Sequence, residues 1–158
     1  MTAPFVAVHG EGVRVEVWRG SPEAGRVVYE LRRGERLLAS LRAPDGYAPH
    51  VALLGTHVAL WAGGLVLADL TSGGSGTYDD GSGDVVTVLP YGGRVLVVTE
   101  LAVSLRSPDL AVEHARYDHH EVILDARLDG NRLVARDFDG TELLLDAATL
   151  ESAAAPEL

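Results

Sequence analysis

Apolar and polar residues alternate with a period of two along most of the chain. Phe5-Val6-Ala7-Val8 leads into His9-Gly10-Glu11-Gly12 and out again into Val13-Arg14-Val15-Glu16-Val17-Trp18. Alternation on both sides of a short Gly-containing turn predicts a β-hairpin. Its second strand would set Val13, Val15 and Val17 on one face and Arg14, Glu16 and Trp18 on the other. Ser21-Pro22-Glu23-Ala24-Gly25 then turns the chain into Arg26-Val27-Val28-Tyr29-Glu30-Leu31. No segment sustains the 3.6-residue apolar spacing of an amphipathic helix, so the pattern predicts an all-β protein.

The alternation is also repetitive. Arg26-Val27-Val28, His57-Val58-Ala59, Arg94-Val95-Leu96 and Arg132-Leu133-Val134 each open a strand, at spacings of 31, 37 and 38 residues. A second apolar strand follows each one: Leu37 to Leu41, Leu65 to Leu67, Leu101 to Leu105, and Leu143 to Leu145. Another precedes each: Val13 to Trp18, His50 to Leu54, Val85 to Leu89, and Glu121 to Ala126. The first and last units align without a gap, RVVYELRRGERLLASL on RLVARDFDGTELLLDA, which sets Gly34 on Gly140 and Ser40 on Asp146. Units of this length cannot bury an apolar face alone and must stack. The expected architecture is a β-propeller-like array of four three-stranded meander repeats, a single all-β repeat domain over residues 1–151. An open curved sheet or a β-sandwich is the alternative. Residues 152–158 read as a disordered tail.

The clearest copy is 130–151, GNRLVARDFDGTELLLDAATLE. It holds a strand, a tight turn at Asp137-Phe138-Asp139-Gly140, a second strand and a polar exit, Asp146-Ala147-Ala148-Thr149. This order resembles the repeat of quinoprotein-type (PQQ-like) β-propellers. Residues 57–73 follow it more loosely, with Gly63-Gly64-Leu65 and then Asp69-Leu70-Thr71-Ser72-Gly73. The resemblance implies propeller blades and assigns no activity or quinone site. Where that repeat closes on Gly with a Trp beyond it, this chain has Leu150-Glu151 and no Trp. Four short units also fall below a ring of six to eight blades. They would close as a small ring, remain open, or combine in two copies.

Composition narrows the chemistry. With 47% hydrophobic residues in 158, the chain has the means to build a core, and disorder is excluded as a description of the whole. Cysteine is absent, which removes disulfides, thiol catalysis and Cys-type zinc sites. All 13 basic residues are Arg, so Schiff-base chemistry on lysine is excluded too. A net charge of −10 argues against a nucleic-acid footprint and is compatible with a basic protein partner. The longest apolar stretch, Val51 to Leu70, is broken by Gly55, His57, Gly63, Gly64 and Asp69, and no membrane helix is expected. Met1-Thr2-Ala3-Pro4 does not open a signal peptide, so a cytoplasmic location is expected.

Two stretches carry candidate chemistry. His114, Asp118, His119, His120 and Glu121 put imidazoles and carboxylates within eight residues, a ligand type suited to zinc or another divalent metal that would activate water. The spacing matches no strict motif, and His119 and His120 would face opposite ways on a strand. A hydrated loop is the plainer reading. The second stretch, Thr71 to Asp84, is Gly-rich and acidic, and its Tyr78, Asp79, Asp80 and Asp84 are the candidate partner contacts. It lacks the ordered ligands of a calcium loop and the Lys of a phosphate loop. Asp137-x-Asp139-Gly140 is a hairpin turn before it is a calcium turn. No nucleophile motif surrounds any of the six His.

These features point to a non-catalytic protein-binding module, with no cofactor, that uses inter-repeat loops. One form would be an acidic inhibitor or immunity-type protein set against a basic partner. A metal-dependent hydrolase or isomerase on the 114–121 cluster is the alternative from another class. A self-associating structural module, such as a homodimer, is the third.

Overall fold

The computed structural model describes residues 6–10 and 12–153. Its described residues form fifteen strands and no helix. A first antiparallel sheet takes β1 (Val6–Gly10), β2 (Val13–Arg19), β3 (Arg26–Arg33) and β4 (Arg36–Pro44) in sequence order. A second takes β5 (His50–Leu54), β6 (His57–Ala62), β7 (Gly64–Asp69) and β8 (Ser75–Tyr78). The third is β9 (Val85–Tyr91), β10 (Arg94–Thr99), β11 (Ala102–Arg106) and β12 (Glu113–Asp118). The fourth has three strands, β13 (Ile123–Asp129), β14 (Arg132–Asp137) and β15 (Glu142–Asp146). The array is therefore all-β and built of four meanders.

The hairpin read from the N-terminal alternation is present, with Val8 opposite Val15 and His9 opposite Arg14; Glu11 of its turn lies outside the described residues. The second and third sheets each carry one strand more than the apolar pattern predicts. The additional strands β8 and β12 arise in stretches that read as loops. Their sequences, SGTY and EHARYD, are polar, and each pairs on one side only, with β7 and β11. A polar strand at a sheet edge leaves little apolar signal. The equation of Ser40 with Asp146 also gives way, since Ser40 lies inside β4 opposite Glu30 while Asp146 ends β15.

The polar exit after β7 and β15, Asp-x-x-Ser in the second sheet and Asp-x-x-Thr in the fourth, is a real structural repeat. Asp69 Oδ1 accepts the Thr71 and Ser72 amides, and Asp146 Oδ1 accepts those of Ala148 and Thr149. Gly73 N–H donates to the Asp69 carbonyl as Leu150 N–H does to that of Asp146. Both adopt positive φ, 77° and 58°. Leu150 thus takes the left-handed conformation that glycine takes in the second sheet, and its side chain is buried in the core. Past β15 the chain folds back, with Ser152 bridging Leu145 and Ala153 N–H donating to Leu144. Residues 154–158 of the expected tail lie outside the described residues.

The chain comprises two compact units, residues up to 79 and from 80 on. In the first, alternate residues of two sheets face each other: Val15, Val17, Tyr29, Leu31 and Leu41 meet Val58, Leu60, Val66 and Ala68. In the second, Leu96, Val98, Val103 and Leu105 meet Ile123, Leu133, Ala135 and Leu145. Each fully buried Val or Leu contributes about 1.5–3 kcal/mol relative to exposure, so these paired faces dominate the stability of each unit.

Gly83 is held at φ +98°, and a Cβ built there would stand 2.8 Å from Glu100 Oε1. Gly83→Ala is expected to cost about 1–2 kcal/mol of stability, read by thermal or urea unfolding. An unchanged midpoint would show that the 81–84 turn relaxes freely.

Candidate functional site

The second unit gathers polar side chains from both candidate stretches onto the face of the third sheet opposite its core. The register of β11 and β12 sets Ala115 and Tyr117 toward the core. Arg116 lies opposite Ser104, and Asp118 opposite Ala102, on the other face. A register shift at Leu105/Arg106 then pairs Arg106 with Glu113 and leaves His114 exposed.

Arg116 is the hub. Its Nη1 lies 2.5 Å from Asp80 Oδ2 and 3.4 Å from Glu113 Oε2, and its Nε donates to Asp118 Oδ1 at 2.9 Å. The bond to Asp80 keeps the guanidinium charged at any ordinary pH. Burial disfavours the Glu113 anion, yet the Ser104 hydroxyl and the Arg106 and Arg116 guanidiniums outweigh it and hold the carboxyl below its usual range. Ser104 Oγ donates to Glu113 Oε2 at 2.8 Å and accepts from Arg106 Nε at 2.9 Å.

Asp80 also anchors its own turn. Its Oδ1 accepts from Ser82 N–H at 3.0 Å and Ser82 Oγ at 2.5 Å. Ser82 Oγ lies 2.6 Å from Thr99 Oγ1, which is 3.2 Å from the Ala102 carbonyl. Two hydroxyl protons serve these three oxygen contacts. Ser82 donates to the carboxylate and Thr99 donates to Ser82, leaving the long contact to Ala102 without a proton. Both hydroxyl residues are buried.

A second arrangement joins the third and fourth sheets inside this unit. His119 Nε2 lies 2.9 Å from Asp137 Oδ2, and both side chains are 3% exposed. Tyr117 Oη is 3.1 Å from His119 Nδ1, and the rings stack at 5.7 Å. A carboxylate only accepts, so Nε2 carries the proton and Nδ1 accepts from Tyr117. Asp137 Oδ1 takes the Thr141 amide, and Gly140 at φ +83° closes the turn onto the Asp137 carbonyl. The His119 hydrogen bond holds the Asp137 carboxyl below its usual range, against the desolvation of the site.

The five residues read as metal ligands do not converge. His114 is exposed, Asp118 is bound to Arg116, and His119 is buried on Asp137. His120 is exposed, its ring 4.7 Å from that of His119, and Glu121 Oε1 accepts the Val122 amide. Among the described residues no three His, Asp or Glu are placed to hold a metal ion. Of the candidate partner contacts, Tyr78 is buried at the end of β8 and Asp79 is exposed at the end of the first unit. Asp80 and Asp84 belong to the second unit. Sequence reasoning missed Arg116, Glu113, Ser104 and Asp137. The alternation Ala115-Arg116-Tyr117-Asp118 signals a strand, but nothing local points Arg116 at a carboxylate 36 residues away.

No family model and no curated protein matches the sequence. Solved structures do match. The computationally designed Ika4 protein superposes with a TM-score of 0.61 at 12% identity, covering 91% of each chain. BamB from Moraxella catarrhalis gives 0.62 at 14% identity over 94% of this chain and 47% of its own. The WD40 domain of coronin from Toxoplasma gondii gives 0.56 at 14% identity over 89% of this chain and 43% of its own. The fold is of the β-propeller type. The chain spans about half the length of the two natural structures.

Proposed function

We propose that this β-propeller-type chain is a non-catalytic protein-binding module whose acidic surface, in the second unit, engages a basic protein through the 80–84 turn and the outer strand β12. The observation that carries the reading is the Arg116 network. It ties the turn to the strand through Asp80 and gives each of its carboxylates a guanidinium or hydroxyl partner, making a rigid charged surface. The His119–Asp137 pair is closed by Tyr117, whose hydroxyl takes the remaining imidazole nitrogen. Propeller neighbours, typically interaction modules, support the same reading. With a net charge of −10, its specific form would be an inhibitor or immunity-type protein that masks a basic site. The Asp-Ala-Ala-Thr exit and the likeness to BamB favour repeats of the PQQ-like kind.

The test is affinity capture with the wild type and with an Asp79→Arg/Asp84→Arg variant, which leaves Asp80 on Arg116. Basic proteins held by the wild type at low salt should be lost with the variant and at about 0.5 M salt, where the screening length falls to a few ångströms. Capture indifferent to both changes would end the proposal. Native mass spectrometry before and after chelator is the complementary measurement. A transition ion lost on chelation would replace binding with metal chemistry at His114, Asp118, His119, His120 or Glu121.

A further inference from the structure

The first and fourth sheets each present a face away from their own core, and the two faces differ in character. On the first sheet, strand alternation and register bring Arg14, Arg26, Arg32 and Arg42 to that face with two glutamates, Glu16 and Glu30. In a chain of net charge −10, this is a locally basic surface. It is also apolar: Val28 is 42% exposed and Leu37 51%. Arg32 lies 5.0 Å over the half-buried Trp18 ring and 2.5 Å from Glu30.

On the fourth sheet, Asp125 lies opposite Arg136 and Glu142, and Asp129 opposite Arg132 and Asp146. Four carboxylates face three arginines, the reverse balance. Between the rows, Arg127, Val134 and Leu144 are in register. A depression of about 360 Å³ opens there, lined by Asp125, Arg127, Val134, Arg136 and Glu142.

We infer that these two faces are one interface, formed between two copies of this chain: the first-sheet face of one copy seats on the fourth-sheet face of the other. Charge complementarity selects the pairing, because arginine-rich and carboxylate-rich faces attract each other while each repels its own kind. Val28 and Leu37 supply apolar anchors for the depression over Val134. Both are exposed on the first sheet. A contact between these unlike faces is head-to-tail, one copy's first sheet against the other's fourth. The inference rests on the propeller-type fold and is independent of the partner surface around Arg116.

Sedimentation velocity and native mass spectrometry of the full chain, from about 1 to 100 µM, test it. The expected species is twice the 16.7 kDa of one chain. Arg26→Glu/Arg42→Glu on one face, and Asp129→Arg/Glu142→Arg on the other, should each weaken the dimer at least about tenfold. Mixing the two variants should restore a heterodimer, because the two altered faces are then complementary to each other. Circular dichroism confirms that each variant is folded. Val28→Ser/Leu37→Ser, at exposed sites, provides an uncharged second perturbation with the same expectation. A wild type that stays monomeric, or an assembly indifferent to all three variants, would overturn the inference. A dimer that forms while the wild type captures no basic protein would leave this interface standing and remove only the partner reading.

Discussion

His119→Ala is expected to lower Tm by roughly 3–10 °C, the effect of removing one partner from a buried, fully bonded pair in a domain of this size. The substitution strips Asp137 Oδ2 of its donor and leaves Tyr117 Oη without an acceptor, both inside the second unit. Asp137→Asn is the informative companion. The amide oxygen still accepts the Thr141 N–H, and the imidazole can change tautomer to accept from the amide, so this variant should show the smaller loss. Differential scanning calorimetry of the two settles the order, and equal losses would show that the carboxylate charge matters more than the bonding geometry.

The same pair fixes a pH dependence. Asp137 has its folded pKa depressed, so the stability it contributes is fully present above the unfolded value, about 3.9. That stability is lost as pH falls through the lower folded value. Glu113 acts in the same direction from its own site. Wild-type stability should therefore drop on acidification below about pH 4, and the acid limb should be shallower in Asp137→Asn. An acid limb unchanged by that substitution would assign the drop to other carboxylates.

Arg116→Ala is expected to lower Tm by roughly 2–8 °C and to free the 80–84 turn. Asp80, Glu113 and Asp118 would then face one another without the cation that separates them. Their mutual repulsion is relieved by protonation, so the deficit should shrink as pH falls through the carboxylate range and as salt rises. Arg116→Lys should not rescue, because one ammonium cannot reach Asp118 from Nε and Asp80 from Nη1 at once. Hydrogen exchange at Ser82 N–H and Asp84 N–H supplies the local readout. Those amides donate to Asp80 and Glu100, and faster exchange at Ser82 with little change at Asp84 is the expected signature. Full protection at Ser82 in Arg116→Ala would mean that Asp80 holds its turn without the guanidinium.

The sequence by itself determined the strand alternation, the four-unit periodicity and the two Asp-led polar exits. All three are local: period two sets which residues share a face, and the exit Asp side chains take amides two and three residues on. Thus Val13, Val15 and Val17 could be placed on one face, and Asp69 and Asp146 in equivalent turns, before any coordinates. The polar edge strands β8 and β12 were not legible, since their pairing depends on the neighbouring strand and their residues carry no apolar stripe. The site was decided by tertiary structure alone. His119 meets Asp137 and Arg116 meets Asp80 across 18 and 36 residues, so adjacency in sequence grouped His119 with the wrong neighbours. A folded β array brings together residues that share a face and a register, and both are set by pairing between strands far apart in the chain.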